Sequence, residues 1–404
     1  MIKQLCLIVL LFITTALELN AQTWNQKANV PTIARHRATS FSIGNKGYVC
    51  LGHINTVANI LFEDLWEYNP ASNTWTQKAD FGGGLRYHAH GFVINGKAYV
   101  GTGRDASSYQ DDNWEYDPTT NTWIQKSDIP GPNRRGTVSF VINDIGYVGS
   151  GLTSSGGSST SNDFYAYDPT IDNWTEVASF PGQSRNSAVG FAIGSKGYMG
   201  TGDTGGYSAS KDFWEYDSAL DVWTQKANVG DSIRRHATGF ALNGRGYIGS
   251  GHNTNIDDDM DDFWEYNPAL DTWVQIEDFL GISRRYMTSF VIANRAYTSM
   301  GTNGINFNDL WEYNPSYIVA LPPSFDDVDV AVTELSNHSF EIDISDLPNN
   351  LQETFVVINN KEGVMIEKLT LPAGAQSIQS SQIPENCTFR LVLDGIVTKS
   401  GKLK

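Results

Sequence analysis

The sequence predicts an all-β chain: a six-bladed β-propeller closed by its own N-terminal strand, followed by a small C-terminal β-sandwich. Three observations lead there. A D-x-W-E-Y-N/D-P pattern recurs as DLWEYNP (64–70), DNWEYDP (112–118), DFYAYDP (163–169), DFWEYDS (212–218), DFWEYNP (262–268) and DLWEYNP (309–315), six copies spaced by 47 to 51 residues. A T-W-x-Q-K segment follows five of these copies, yet its first instance, at 22–28, precedes them all. Beyond residue 318 the repeat stops and shorter alternating segments begin. A fixed period near 50 residues marks stacked supersecondary units.

Each unit holds four segments in a constant order. R-x5-F opens it, with Arg35, Arg86, Arg134, Arg185, Arg234 and Arg284 in register. A G-Y-V-G-T-G type segment follows at 47–52, 98–103, 146–151, 197–202, 246–251 and 296–301. D-x-W-E-Y comes third. The fourth carries Trp75, Trp123, Trp174, Trp223 and Trp273, with Trp24 displaced to the front. All are rich in β-branched and aromatic residues and are punctuated by Gly, Asn, Asp and Pro, the pattern of short strands. No stretch has helical apolar periodicity. Four strands per unit make a propeller blade. The offset closes the ring, because residues 22–28 supply the outer strand that the sixth blade lacks. Closure removes a sheet edge that would otherwise template aggregation.

The expected organisation is a signal peptide over 1–21, the propeller over 22–318, a linker over 319–335 and a β-domain over 336–404. Met1–Leu17 has one early Lys3 and an apolar run from Leu5 to Ile13, too short to span a bilayer but placed as a secretory h-region. Cleavage is placed between Ala21 and Gln22. Cys6 leaves with the signal, and Cys50 with Cys387 is no disulfide framework. The formal charge of −17 argues against nucleic acid and anionic membranes as partners. No later segment is apolar enough for membrane insertion. The tail alternates in HSFEIDI (338–344), ETFVVINN (353–360), GVMIEKLTL (363–371) and TFRLVLDG (388–395), which reads as strands.

Over about residues 22–318 the chain resembles the kelch-repeat propellers of the galactose-oxidase superfamily. The repeated Arg, the glycine position, the Y-D/N-P and the spaced Trp carry the match, with the family's adjacent Gly-Gly standing here as G-T-G or G-S-G. The tail is similar to the C-terminal sorting domain of the type IX secretion system of Bacteroidota. VINNKEGVMI, SSQIPENCTFRLVLDG and SGKLK fill that domain's three characteristic places. The resemblance implies an address for the export machinery, a secreted product, and attachment at the outer-membrane surface.

The loops before strand one and after strand two open on one face of a propeller, so the six register arginines ring its mouth. Guanidinium forks suit carboxylated or sulfated ligands, and the kelch resemblance implies arginines here that hold acidic ligands. Each blade also supplies one Asp (Asp64, Asp112, Asp163, Asp212, Asp262, Asp309). That equal stoichiometry favours structural pairing. The next position is irregular: His36, Tyr87, Arg135, Asn186, Arg235, Arg285. A scaffold does not require Arg135, Arg235 and Arg285, which favours them as ligand contacts. Tyr87, His88, His236 and Tyr286 join the candidate set.

The other clusters carry less. His88 and His236 share a register in opposed blades, with His53, His90 and His252 on nearby loops; they read as scattered polar residues rather than a metal site. Asp257, Asp259 and Asp261 alternate as calcium ligands do, without the glycine of a sharp turn, so a solvated acidic loop is expected. Copper-radical chemistry of the superfamily needs a Cys–Tyr crosslink, two His and an axial Tyr. No such constellation is present, and no cofactor is expected. The in-register Trp66, Trp114, Trp214, Trp264 and Trp311 read as packing; the out-of-register Tyr109, Tyr207 and Phe307 read as ligand contacts.

Three functions follow from this. The leading one is a non-catalytic binding protein that recognises an acidic glycan or a protein partner. The second is a sugar-acid mutarotase or epimerase, an activity that the resemblance associates with six-bladed kelch proteins. The third is a structural surface protein.

Overall fold

The computed structural model describes residues 24–55, 59–153, 159–206 and 208–315, and the backbone of seven strands between 329 and 402. The expected signal peptide, Tyr207 and Cys387 lie outside the described residues. The chain divides into two units, Met1–Pro315 and Ser316–Lys404.

The first unit holds six antiparallel four-stranded sheets. In blade one the strands are Thr39–Ile43, Lys46–Cys50, Leu65–Asn69 and Thr74–Lys78, paired in that order. Blades two to five repeat this order. Blade six takes Thr288–Ile292, Arg295–Ser299 and Leu310–Tyr313 from the end of the unit and Trp24–Lys27 from its start. Trp24 pairs with Tyr313 and Lys27 with Leu310. The predicted closure is therefore present. First strands of successive blades touch all round the axis, Thr39–Ile43 meeting Thr288–Ile292 across the seam.

The repeated letters each have a physical task. Two residues before each D-x-W tryptophan, the Asp accepts from the register arginine. Arg35, Arg134, Arg185, Arg234 and Arg284 give it two N–H groups, and Arg86 gives one. The Trp indole N–H donates to the same carboxylate in blades one, two, four, five and six. In blade three Tyr165 replaces Trp and donates its hydroxyl to Asp163. The Glu after the Trp accepts from the tyrosine of the adjacent strand, as Glu67 does from Tyr48. Blade three has Ala166 opposite Tyr147 at that place.

The glycine of G-Y-V makes room for a neighbouring blade. A Cβ on Gly47 would lie 2.1 Å from the Phe290 ring, and one on Gly197 2.3 Å from Phe140. Further out, five of the six seams are clamped at one peptide. Trp75 Nε1 donates to the Ala28 carbonyl at 2.8 Å, while the Ala28 N–H donates to Asn73 Oδ1 at 2.9 Å. Trp123 with Asn121, Trp174 with Asp172, Trp223 with Asp221 and Trp273 with Asp271 do the same at the following seams. The register tryptophans are thus packing and seam residues, as expected.

In the second unit, Asp329–Glu334, Phe340–Ser345 and Ser377–Ser380 form one antiparallel sheet. Met365–Thr370, Thr354–Asn359, Thr388–Leu393 and Ile396–Lys402 form another.

Candidate functional site

Two residues after each register arginine the backbone enters the left-handed region, at Arg37 (φ 55°), His88 (60°), Gly136 (64°), Ser187 (53°), His236 (57°) and Tyr286 (59°). Backbone bonds join neighbours around the axis: the N–H of His88 donates to the carbonyl of Arg37, Gly136 to His88, Ser187 to Gly136, and Tyr286 to His236. Each non-glycine member costs about 1 kcal/mol or more in backbone strain. The geometry is the same in every blade while the chemistry differs in nearly every one. That combination is how a rigid scaffold carries a site.

One residue earlier, His36, Tyr87, Arg135, Asn186, Arg235 and Arg285 bridge to His53, Arg104, Leu152, Asp203, His252 and Thr302. With the ring as floor, members of these columns and parts of the adjoining loops line an axial funnel of about 1360 Å³. A cavity of about 130 Å³ lies at the ring itself.

The six register arginines do not reach this funnel. They are at most 3 % exposed and hold their Asp partners. As ligand contacts, Arg35, Arg86, Arg134, Arg185, Arg234 and Arg284 are corrected: they lock strand one to strand three within each blade. Each also donates to a carbonyl sixteen residues on, from Leu51 in blade one to Met300 in blade six. Those six residues have φ between 54° and 62°, just before the glycine. Tyr87 is corrected too. It is 3 % exposed and stacks on His53 at 3.9 Å, beneath the funnel wall. Tyr109 is 5 % exposed, and Phe307 covers the Arg284 guanidinium at 3.7 Å.

His88, His236, Tyr286, Arg135, Arg235 and Arg285 do line the funnel. Arg235 Nη1 lies 3.3 Å from Asp203, and Arg285 Nη1 2.7 Å from both Asp259 oxygens. Arg135 donates to the Tyr87 hydroxyl at 3.2 Å, and its Nε is buried without a partner. Arg37 was not singled out from the sequence. Its guanidinium stands 2.7 Å from His53 Nε2, 2.5 Å from the Tyr286 hydroxyl and 4.0 Å over the Tyr286 ring. Its Nε is also buried and unpartnered. No carboxylate among the described residues lies within ion-pair distance of Arg37 or Arg135.

Of the described histidines, only His90 stands apart, buried in the strand His90–Ile94 beside Thr102; the other five are not scattered. His36, His53, His88, His236 and His252 gather around one axis, because the loops that carry them converge there. Among the described residues no group of His, Cys, Asp and Glu is placed to hold a metal ion. Arg37 already puts a cation between His36 and His53. Asp257 and Asp259 share His252, one at each ring nitrogen, and Asp259 also meets Arg285, while Asp261 stands apart and accepts from Ser283.

Burial first, then the Arg37 charge, lowers the pKa of His36 to about 4 and of His53 to about 3. Burial takes His236 to about 3 against the opposing pull of Asp203, and takes His88 well below the ordinary range. These imidazoles are neutral at neutral pH, so the 3.7 Å approach of His236 to Asp203 is not an ion pair there. The sign for stability follows. The unfolded chain takes up protons below about pH 6.5 and the folded one does not, so stability falls with pH from there toward 4. Calorimetric midpoints across that window should decline, and His53→Gln should make the decline shallower. A midpoint flat with pH would show that these rings are not held neutral.

The fold and site define a class: a six-bladed propeller whose axial funnel is polar and carries two cations with no acidic partner among the described residues. No family model matches the sequence, and no curated protein matches it. Among solved structures the chain is similar to that of YjhT, with 17 % identity, a TM-score of 0.58, and coverage of 70 % of this chain and 96 % of that one. At that identity the likeness is one of fold.

Proposed function

We propose that the protein is a secreted or surface-attached binding protein of kelch type that takes an acidic group, from a glycan or a protein partner, into its funnel. The carrying observation is the contrast among arginines. Six have an Asp each; Arg37 and Arg135, half-buried at the funnel, have none among the described residues. A desolvated cation without a counter-charge is costly. An anion from outside supplies it, and the guanidinium fork fits a carboxylate or sulfate. In the same proposal the tail is an address read by the export machinery.

One observation supports the enzymatic alternative, a sugar-acid mutarotase or epimerase. The Tyr286 hydroxyl sits between the Arg37 guanidinium and His236 Nε2, at 2.5 and 2.9 Å. A phenol between a cation and a neutral imidazole is arranged to give and take a proton. Saturation-transfer proton NMR with sialic, uronic and sulfated sugars tests both readings at once. Binding that Arg135→Ala abolishes, without faster anomeric exchange, fits the binding protein. Faster exchange that Tyr286→Phe removes fits the enzyme. No transfer to any of these sugars would remove acidic glycans as ligands.

A further inference from the structure

We propose that the ligand of the funnel is a zwitterion, with its anionic group on Arg37 and Arg135 and a cationic group against the opposite wall. This rests on the acidic-ligand reading above and adds the second charge. Two charge pairs lining the funnel cancel: Arg235 with Asp203, and Arg285 with Asp259. What remains is unevenly placed. Arg37 and Arg135 lie on either side of Tyr87 of blade two, their guanidinium carbons 5.9 and 5.5 Å from its ring, and Arg37 reaches on to the Tyr286 ring of blade six at 4.0 Å. Asp257 and Asp258 line the same cavity from blade five. The hairpin of His252–Asn253 with Asp258–Asp259 holds them there. In a six-membered ring, blades two and five face each other.

The uncompensated positive charge therefore runs from beside blade two to Tyr286 of blade six, and the acidic pair stands on blade five. A simple anion entering the funnel is drawn to the arginines and repelled by the acidic wall. A molecule bearing an ammonium as well turns that repulsion into attraction. His236, 8 % exposed, lines the same cavity, with its Nε2 bonded to the Tyr286 hydroxyl. Asp257 is 96 % exposed, so solvent screens its share. The gain from the cationic end is expected to be about three- to tenfold in affinity.

Two sources share this chemistry: the free ends of a short peptide, and an amino-sugar acid. The experiment is titration calorimetry on the full chain with short oligoglycines of increasing length. Each is offered with free ends, with the amine acetylated, and with the carboxyl amidated. Muramic acid and its N-acetyl form make the sugar arm. The expected result is that one free-ended series binds about three- to tenfold tighter than its acetylated counterpart. The double substitution Asp257→Asn, Asp258→Asn should erase that difference and leave the acetylated probe unchanged. Whichever arm responds names the source. Equal affinity of free and acetylated forms overturns the proposal and leaves the acidic-ligand reading standing. No binding of any probe, or binding indifferent to Arg135→Ala, overturns both.

Discussion

Deleting residues 24–28 should lower the unfolding midpoint of the propeller far more than a terminal trim of that length does elsewhere. The segment fills four backbone pairings in blade six, and it also holds both seams of that blade. Trp24 is 1 % exposed, packs edge-on to Phe263 and Phe279, and donates to the Glu277 carbonyl of blade five. Ala28 is the peptide that Trp75 and Asn73 of blade one clamp. The deletion therefore opens two inter-blade contacts and leaves Leu310–Tyr313 as a bare edge. Trp24→Ala alone should cost about 3–5 kcal/mol, the usual range for a buried aromatic. That is a large share of the roughly 5–15 kcal/mol that holds a typical domain. Trp75→Ala, only half-buried, should cost less. Urea unfolding followed by circular dichroism orders the three variants. A deletion that leaves the midpoint where it was would mean that ring closure carries little of the stability.

This closure was legible in the sequence because it rests on repetition. Six in-register copies report the same backbone task, so Arg35 and its five counterparts, the Asp partners, the Trp and the G-Y-V glycines were all visible as a pattern. The stoichiometry of Arg and Asp even pointed to their pairing. The site is written in the opposite way, in positions where the blades disagree. Arg135, Arg235, Arg285 and Tyr286 stand out because they break the pattern, and His88 and His236 because they share a register in opposed blades. Arg37 breaks it in the same column as His88 and Tyr286, so comparing the whole column, one residue beyond the irregular position, would have found it. Tyr87 and Phe307 were misplaced for a physical reason. Irregularity says that a residue is free of the repeat, but it does not say whether the side chain turns to solvent or under a neighbouring arginine. Nor does spacing reveal which funnel arginines meet an Asp from another loop, as Arg235 meets Asp203 and Arg285 meets Asp259.

The two kinds of arginine should separate cleanly under substitution. Arg185 is fully buried; it gives two N–H groups to Asp212 and donates to the carbonyls of Thr201 and Gln183. Arg185→Met leaves Asp212 without its counter-charge and the left-handed Thr201 without its tether. Breaking one half of such a buried pair costs about 3–5 kcal/mol. Variants still folded at the assay temperature should bind the acidic ligand as before, since this side chain never reaches the funnel. Arg135→Ala should do the reverse. The hydrogen bond to Tyr87 is the only one its side chain makes among the described residues, and no carboxylate is stranded by its loss. Its unfolding free energy should move by no more than about 0.5 kcal/mol, the range for substitutions that break no buried network. Binding should be lost, because half of the uncompensated positive charge goes with it. Denaturation and titration on the same two preparations decide the matter. If Arg135→Ala falls in stability as far as Arg185→Met, its charge is structural and the funnel has no anion site built around it. If a folded Arg185→Met loses binding, the register arginines reach the ligand after all.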